Sequence, residues 1–189
     1  MRTSFACLLA LCFAGTTLAA RAEDPPDTSS AIRSTFDEGL KDYDSGNFEA
    51  AYKKWSTIDE VDLAAMRNVG IMLRTGKGVQ KDPKAAEAML ERAAEAGLFT
   101  AQADLGDMLL KGEAGPPDPK AAAPWLAMAA EAGHPMAQYE LGQLCEQGDV
   151  IPKNIETARA LYTAAAAGGV KEAADRLAAL PPAPPKPGP

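Results

Sequence analysis

Histidine occurs once in the 189-residue chain, at position 134, and cysteine three times, twice within the first twelve residues. That scarcity excludes the ordinary zinc centres, which take three or four ligands drawn mostly from those two residue types. His134 stands between Gly133 and Pro135, where it is expected to be an exposed turn residue. Serine is absent after position 56, so a Ser-His-Asp arrangement would have to join distant parts of the chain. Acidic neighbours such as Glu23-Asp24 and Asp59-Glu60 read as solvated surface rather than as a glycosidase dyad. No catalytic residue, cofactor or metal is therefore expected. Positive charge is also short, with 19 Lys and Arg against 26 Asp and Glu, a net charge of −7. Such a surface repels nucleic acid and anionic headgroups, and speeds encounter with a basic protein.

Long apolar runs are equally rare. The one that exists, Phe5 to Gly15, follows Arg2 and leads to Ala20-Arg21-Ala22, the pattern of a secretory signal with cleavage before Glu23. It is too short for a permanent anchor, and Leu11 before Cys12 is not the small residue that a lipoprotein site needs. Residues 1–22 are thus expected to be a signal peptide, the location periplasmic, and no stable membrane anchor is expected. Cleavage would remove Arg2, Arg21, Cys7 and Cys12, taking the charge from −7 to −9. Cys145 would remain alone, unable to form an internal disulfide. The fold must then rest on its core.

What the chain has in excess is glycine and alanine at a fixed step. Gly70, Gly106 and Gly142 lie 36 residues apart, as do Gly76, Gly112 and Gly148, and Gly97, Gly133 and Gly169. Ala65, Ala101 and Ala137 keep that step, and so do Val69, Leu105 and Leu141, then Leu73, Leu109 and Cys145. This is a repeat array. Within a unit, Ala65, Val69 and Leu73 share one stripe of a helix, which is the buried one; Cys145 falls in that stripe and is read as a small core residue rather than a reactive thiol. The glycine beside each middle apolar residue lets a second helix approach closely. Gly76, Gly112 and Gly148 suit the left-handed position that ends a helix. Asp82, Asp118 and Asn154 suit N-caps, with Pro83 and Pro119 at first helical positions. The expectation is all-α: a right-handed α-solenoid of helix-turn-helix units.

The segments AAMRNVGIMLRTGKGVQKDPKAAEAMLERAAEAG, AQADLGDMLLKGEAGPPDPKAAAPWLAMAAEAG and AQYELGQLCEQGDVIPKNIETARALYTAAAAGG resemble Sel1-like repeats, relatives of the tetratricopeptide repeat. Gly76-Lys77-Gly78-Val79 matches the family's loop motif in full, whereas the later loops depart from it. The resemblance implies a scaffold for binding another protein. Short exported Sel1-repeat proteins include immunity proteins that neutralise phospholipase-type toxins of the type VI secretion system, so it also implies, most concretely, a type VI secreted lipase toxin as partner. Its alternatives are a periplasmic scaffold for an envelope signalling or polysaccharide complex, a secreted virulence-associated binder, and a cell-wall or β-lactam-associated hydrolase. The disulfide pattern of the β-lactam-associated relatives is missing here.

The remaining chain divides around the three repeats at 64–172. Residues 23–31 read as a flexible leader, and 32–63 as a degenerate tetratricopeptide-like unit containing Gly46-Asn47-Phe48, which would cover one end of the array. Residues 173–180 belong to a capping helix starting near Lys171. The proline-rich tail, 181–189, reads as a solvated extended segment.

In such solenoids the first helix of each unit lines the concave face. Counting from the glycine column, that face is expected to present Asp37, Lys41 and Asp44, then Arg67, Ile71 and Arg74, then Ala103, Asp107 and Lys111, then Tyr139, Gln143 and Glu146. These form the expected protein-binding surface, running from basic near Arg67 and Arg74 to acidic near Glu146. Tyr139 is its best single anchor, free enough that Tyr139→Ala would spare the fold. The free protein is expected to be a monomer.

Overall fold

The computed structural model describes residues 28–182. The expected signal peptide, the leader up to residue 27 and the tail from residue 183 lie outside the described residues. Within them the chain forms α1 (Thr28–Asp44), α2 (Phe48–Trp55), α3 (Leu63–Thr75), α4 (Pro83–Glu95), α5 (Phe99–Lys111), α6 (Pro119–Glu131), α7 (Pro135–Gln147), α8 (Ile155–Ala167) and α9 (Lys171–Ala179). No strand occurs among the described residues. The architecture is an all-α solenoid.

Local chemistry sets each boundary. Asp82, Asp118 and Asn154 accept from the backbone N–H three residues on, each at 3.0 Å, which satisfies a donor that the first helical turn leaves open. Pro83 and Pro119 follow directly, where a missing N–H costs nothing. At the other end Gly76, Gly112 and Gly148 take left-handed φ of 74, 65 and 79°, closing α3, α5 and α7. One boundary differs from expectation. Helix α1 takes in Thr28 to Ala31, placed in the leader above, because Thr and Ser suit a helix start and Ala31 extends it. Helix α9 begins at Lys171, where the capping helix is expected to start.

Helices pack as antiparallel pairs, α3 on α4, α5 on α6 and α7 on α8, with each second helix also touching the first helix of the next unit. The glycine column makes the close pairing. Gly70 faces Leu90, Gly106 faces Leu126 and Gly142 faces Tyr162, and these three side chains, themselves 36 apart, are fully buried. The N-terminal unit repeats the device, since a Cβ on Gly39 would meet Trp55 Cδ1 at 2.8 Å. Its partner lies 16 rather than 20 residues on because the turn is shorter. Glutamine ties unit to unit. Gln102 donates to the Ala94 carbonyl at 3.1 Å and Gln138 to that of Ala130 at 3.2 Å, joining the start of one pair to the end of the preceding one.

The loop between α3 and α4 explains its own motif. Gly78, at φ +70°, lies so close to the Phe48–Glu49 backbone that a Cβ has no room. Lys77 extends over the rings of Tyr43 and Phe48 at 5.3 and 5.2 Å. The first repeat therefore docks through this loop onto the start of α2. Ala114 and Val150 hold the same column in later repeats and pack as partly buried side chains, so those loops have no use for a glycine there.

Candidate functional site

The first helices α1, α3, α5 and α7 supply the expected binding residues, and the structure sorts them into three groups. Asp37, Lys41 and Asp44 on α1 are exposed, with no ion pair among the described residues. The α3 and α5 residues are held by one another. Arg67 donates to Asp104 at 2.5 Å. Arg74 donates to Asp107 at 2.5 Å and, through Nε, to Glu113 at 2.8 Å, with a second, shorter bond to the same carboxylate. Lys111 pairs with Asp107 at 2.7 Å. Ile71 is half-buried, and Ala103 lies in the core at 4 % exposure.

The third group sits at the last pair. Tyr139 accepts from Gln143 at 3.0 Å and stands 5.8 Å from the Tyr162 ring. Glu146 accepts the Tyr162 hydroxyl at 2.7 Å and faces Arg176 of α9 at 3.7 Å. The expected gradient of free charge from Arg67 to Glu146 is therefore closed within the molecule. Its members serve first to join one unit to the next.

Sequence reasoning passed over the most perturbed group on this face. Glu140 of α7 is 8 % exposed, with Oε2 lacking any partner among the described residues. Burial, and then its hydrogen bond to Asp107, push its carboxyl up to about 8, so it keeps a proton and donates it. Burial opposes ionisation of Asp107, but hydrogen bonds from Lys111, Arg74 and Glu140 hold it below the usual carboxylate range. Arg74 likewise holds Glu113 low. Arg74, Asp107 and Glu140 are spaced by 33, one helical turn less than the repeat. That offset is the signal by which the ladder can be found.

His134 departs from its expected role. It is half-buried, its Nδ1 accepts from the Ala137 N–H at 3.3 Å to cap α7, and its ring meets Phe99 edge-on at 6.3 Å. It occupies the column of Leu98 and Val170, a position filled from inside, and burial lowers its pKa. Cys145 is buried at 6 %, and burial raises its thiol pKa. No group of three or more metal-ligating side chains exists among the described residues, and no helix there is long and apolar enough to cross a membrane.

One concavity on this face is apolar. A cleft of about 280 Å³ opens between α1 and α3, with Leu40, Tyr43, Trp55, Ile71 and Met72 as walls and Asp44 at its mouth. Asn68 and Arg67 complete the rim. It lies at the seam where the packing between successive units is sparsest, α2 against α3.

Comparison with known proteins places these features. The family model for the Sel1 repeat matches residues 63–98, 100–134 and 135–170, and no curated protein matches the chain. Among solved structures, a Sel1 repeat protein from Oxalobacter formigenes is 32% identical with a TM-score of 0.70, covering 75% of this chain and 58% of its own. The protein c5321, a protective antigen present in uropathogenic Escherichia coli strains, is 28% identical with a TM-score of 0.72, covering 80% of this chain and 34% of its own. This chain thus spans little more than half of the first and about a third of the second. The immunity protein Pa5087 from Pseudomonas aeruginosa, at 22% identity and a TM-score of 0.53 over 79% of this chain and 58% of its own, shares the fold.

Proposed function

The chain belongs to the Sel1 repeat family, and from that premise we propose that it is an exported protein-binding module whose partner is a secreted toxin. The observation that carries the binding reading is the stack of three matched repeats behind a continuous face of first helices. Repeats of this kind offer an extended surface to a partner. In this reading the location is periplasmic, following the signal-like residues 1–22, and the protein acts by occlusion rather than by catalysis. It blocks or locks the cleft of a phospholipase-type toxin of a type VI system. Support for the toxin comes from the resemblance to short exported Sel1 proteins, and from a solved fold relative that is itself an immunity protein. The net charge of −7 favours a basic partner.

A second reading has its own support, because c5321 is described as a protective antigen of uropathogenic strains. There the protein would be a secreted binder of a host component. Affinity capture with the tagged protein from envelope extract and, in parallel, from host-cell lysate, followed by mass spectrometry, separates the two. Recovery of a stoichiometric lipase that the purified protein inhibits supports immunity. Recovery of a host component, or of an envelope sensor or polymer-export complex, with no inhibited enzyme, would overturn it.

A further inference from the structure

The cleft between α1 and α3 differs from the rest of the concave face in what it leaves unsatisfied. Along α3 and α5 charges are paired internally, Arg67 with Asp104 and Arg74 with Asp107 and Glu113. Here the Arg67 guanidinium is drawn toward α5, leaving the Asp44 carboxylate at the mouth without an ion pair among the described residues. Leu40, at 39 % exposure, gives the entrance an apolar wall, and Trp55 closes the floor. The Asn68 side chain has no hydrogen bond among the described residues, so its amide is free to pair with a backbone N–H or carbonyl. The volume of about 280 Å³ lies just under the range of small-molecule sites, about 300–1,000 Å³. It suits one bulky side chain better than a cofactor.

We propose that this cleft seats a single bulky apolar side chain of an extended partner segment that carries a lysine or arginine next to it. The apolar walls take the anchor, Asn68 takes the segment's backbone, and Asp44 takes the cation. The occupant is a protein segment, by charge complementarity to the unpaired Asp44 carboxylate and to the acidic chain as a whole, at a net charge of −7. This rests on the protein-binding reading above and specifies its docking point. Anchors of this kind carry most of an interface's energy when they fill a desolvated pocket.

The test uses ten-residue synthetic peptides with one leucine or phenylalanine flanked by lysine, by glutamate or by serine. Binding to the whole protein is followed through the methyl NMR signals of Leu40, Ile71 and Met72. Lysine-flanked peptides are expected to shift those signals, to bind about fivefold more weakly to Asp44→Lys, and not to bind Leu40→Glu. Asp44 ends α1, where a cation suits the helix dipole, so Asp44→Lys should fold normally. Leu40 is exposed enough that Leu40→Glu should also keep its melting temperature. Equal binding of glutamate-flanked peptides, shifts confined to the Gln143 end, or no shift at the cleft with any peptide would each overturn the proposal. None of those results touches the wider binding reading. That reading fails separately, if affinity capture with a correctly folded protein recovers no partner.

Discussion

Gly106 and Leu126 occupy the same space by design: a Cβ built on Gly106 would stand 2.5 Å from Leu126 Cδ2 and 2.7 Å from its Cγ. The same contact recurs in the flanking pairs, and together they set how closely the two helices of a unit approach. Gly106→Leu should therefore overpack the pair and cost about 1–3 kcal/mol, read as a lower urea midpoint with an unchanged slope. A Gly106→Leu variant as stable as the parent would mean that α6 does not lean on α5 at this point.

Arg74 makes the second kind of join, between units rather than within one. Its side chain is 13% exposed, and it meets carboxylates on α5 and on the turn that follows. Arg74→Met leaves Asp107 and Glu113 facing each other with only Lys111 between them, and should cost about 1–3 kcal/mol. A double-mutant cycle with Glu113→Gln should return a coupling of about 0.5–3 kcal/mol. Additive effects would show that the pair contributes nothing to the stack.

These two joins also mark what the sequence made legible. The glycine and alanine columns, the caps at Asp82, Asp118 and Asn154, and the burial of Cys145 could be read directly, because each depends on neighbours within one unit. The second member of the glycine contact was equally available, since Leu90, Leu126 and Tyr162 keep the same step. It escaped notice because the column changes residue type at Tyr162. Gly39 escaped because the first unit's shorter turn shifts its partner from 20 residues on to 16. The internal pairing of charges on the face of first helices was less legible, for a physical reason. Position on a helix tells which way a side chain points, but not whether a residue on another helix or turn, 16 to 39 places away, has already claimed its charge. Arg67, Arg74 and Glu146 all proved to have such claimants.

Glu140 gives the protein an unusual dependence on pH. Its folded pKa, about 8, lies above the ordinary glutamate value of 4.5, so the folded state holds a proton that the unfolded state releases. The associated stability is fully present below pH ~4.5, declines by up to about 1.4 kcal/mol per pH unit as pH rises, and is lost above pH ~8. Asp107, Arg74 and Lys111 are the charged groups that face it. His134, whose pKa is lowered by burial, works in the opposite direction, its stability falling away as pH drops below its unfolded value of 6.5. The comparison must therefore be between variants. Glu140→Gln keeps a donor for Asp107 and should gain stability over the parent progressively from pH 5 to pH 8 in urea titrations. A constant difference between the two proteins across that range would show that Glu140 is ionised throughout.

Tyr139 was the expected anchor for a partner, and its surroundings now fix what its mutation should do. The ring packs against Tyr162, itself fully buried opposite Gly142, and the hydroxyl accepts from Gln143. It also interacts with Arg176 on α9. Truncation to alanine removes an aromatic contact of about 0.5–1.5 kcal/mol beyond its area, and loosens the seat of the terminal helix. Tyr139→Ala should thus lower the melting temperature, whereas Tyr139→Phe, which keeps the ring, should nearly restore it. If instead Tyr139→Ala melts like the parent but loses a captured partner, the ring's place in the last pair is incidental and its exposed edge is the anchor. If both variants melt low, the hydroxyl's bonds to Gln143 and Arg176 matter more than the ring, and the join to α9 is polar. The two substitutions together therefore distinguish a side chain that holds the end of the array from one that is held there for something else.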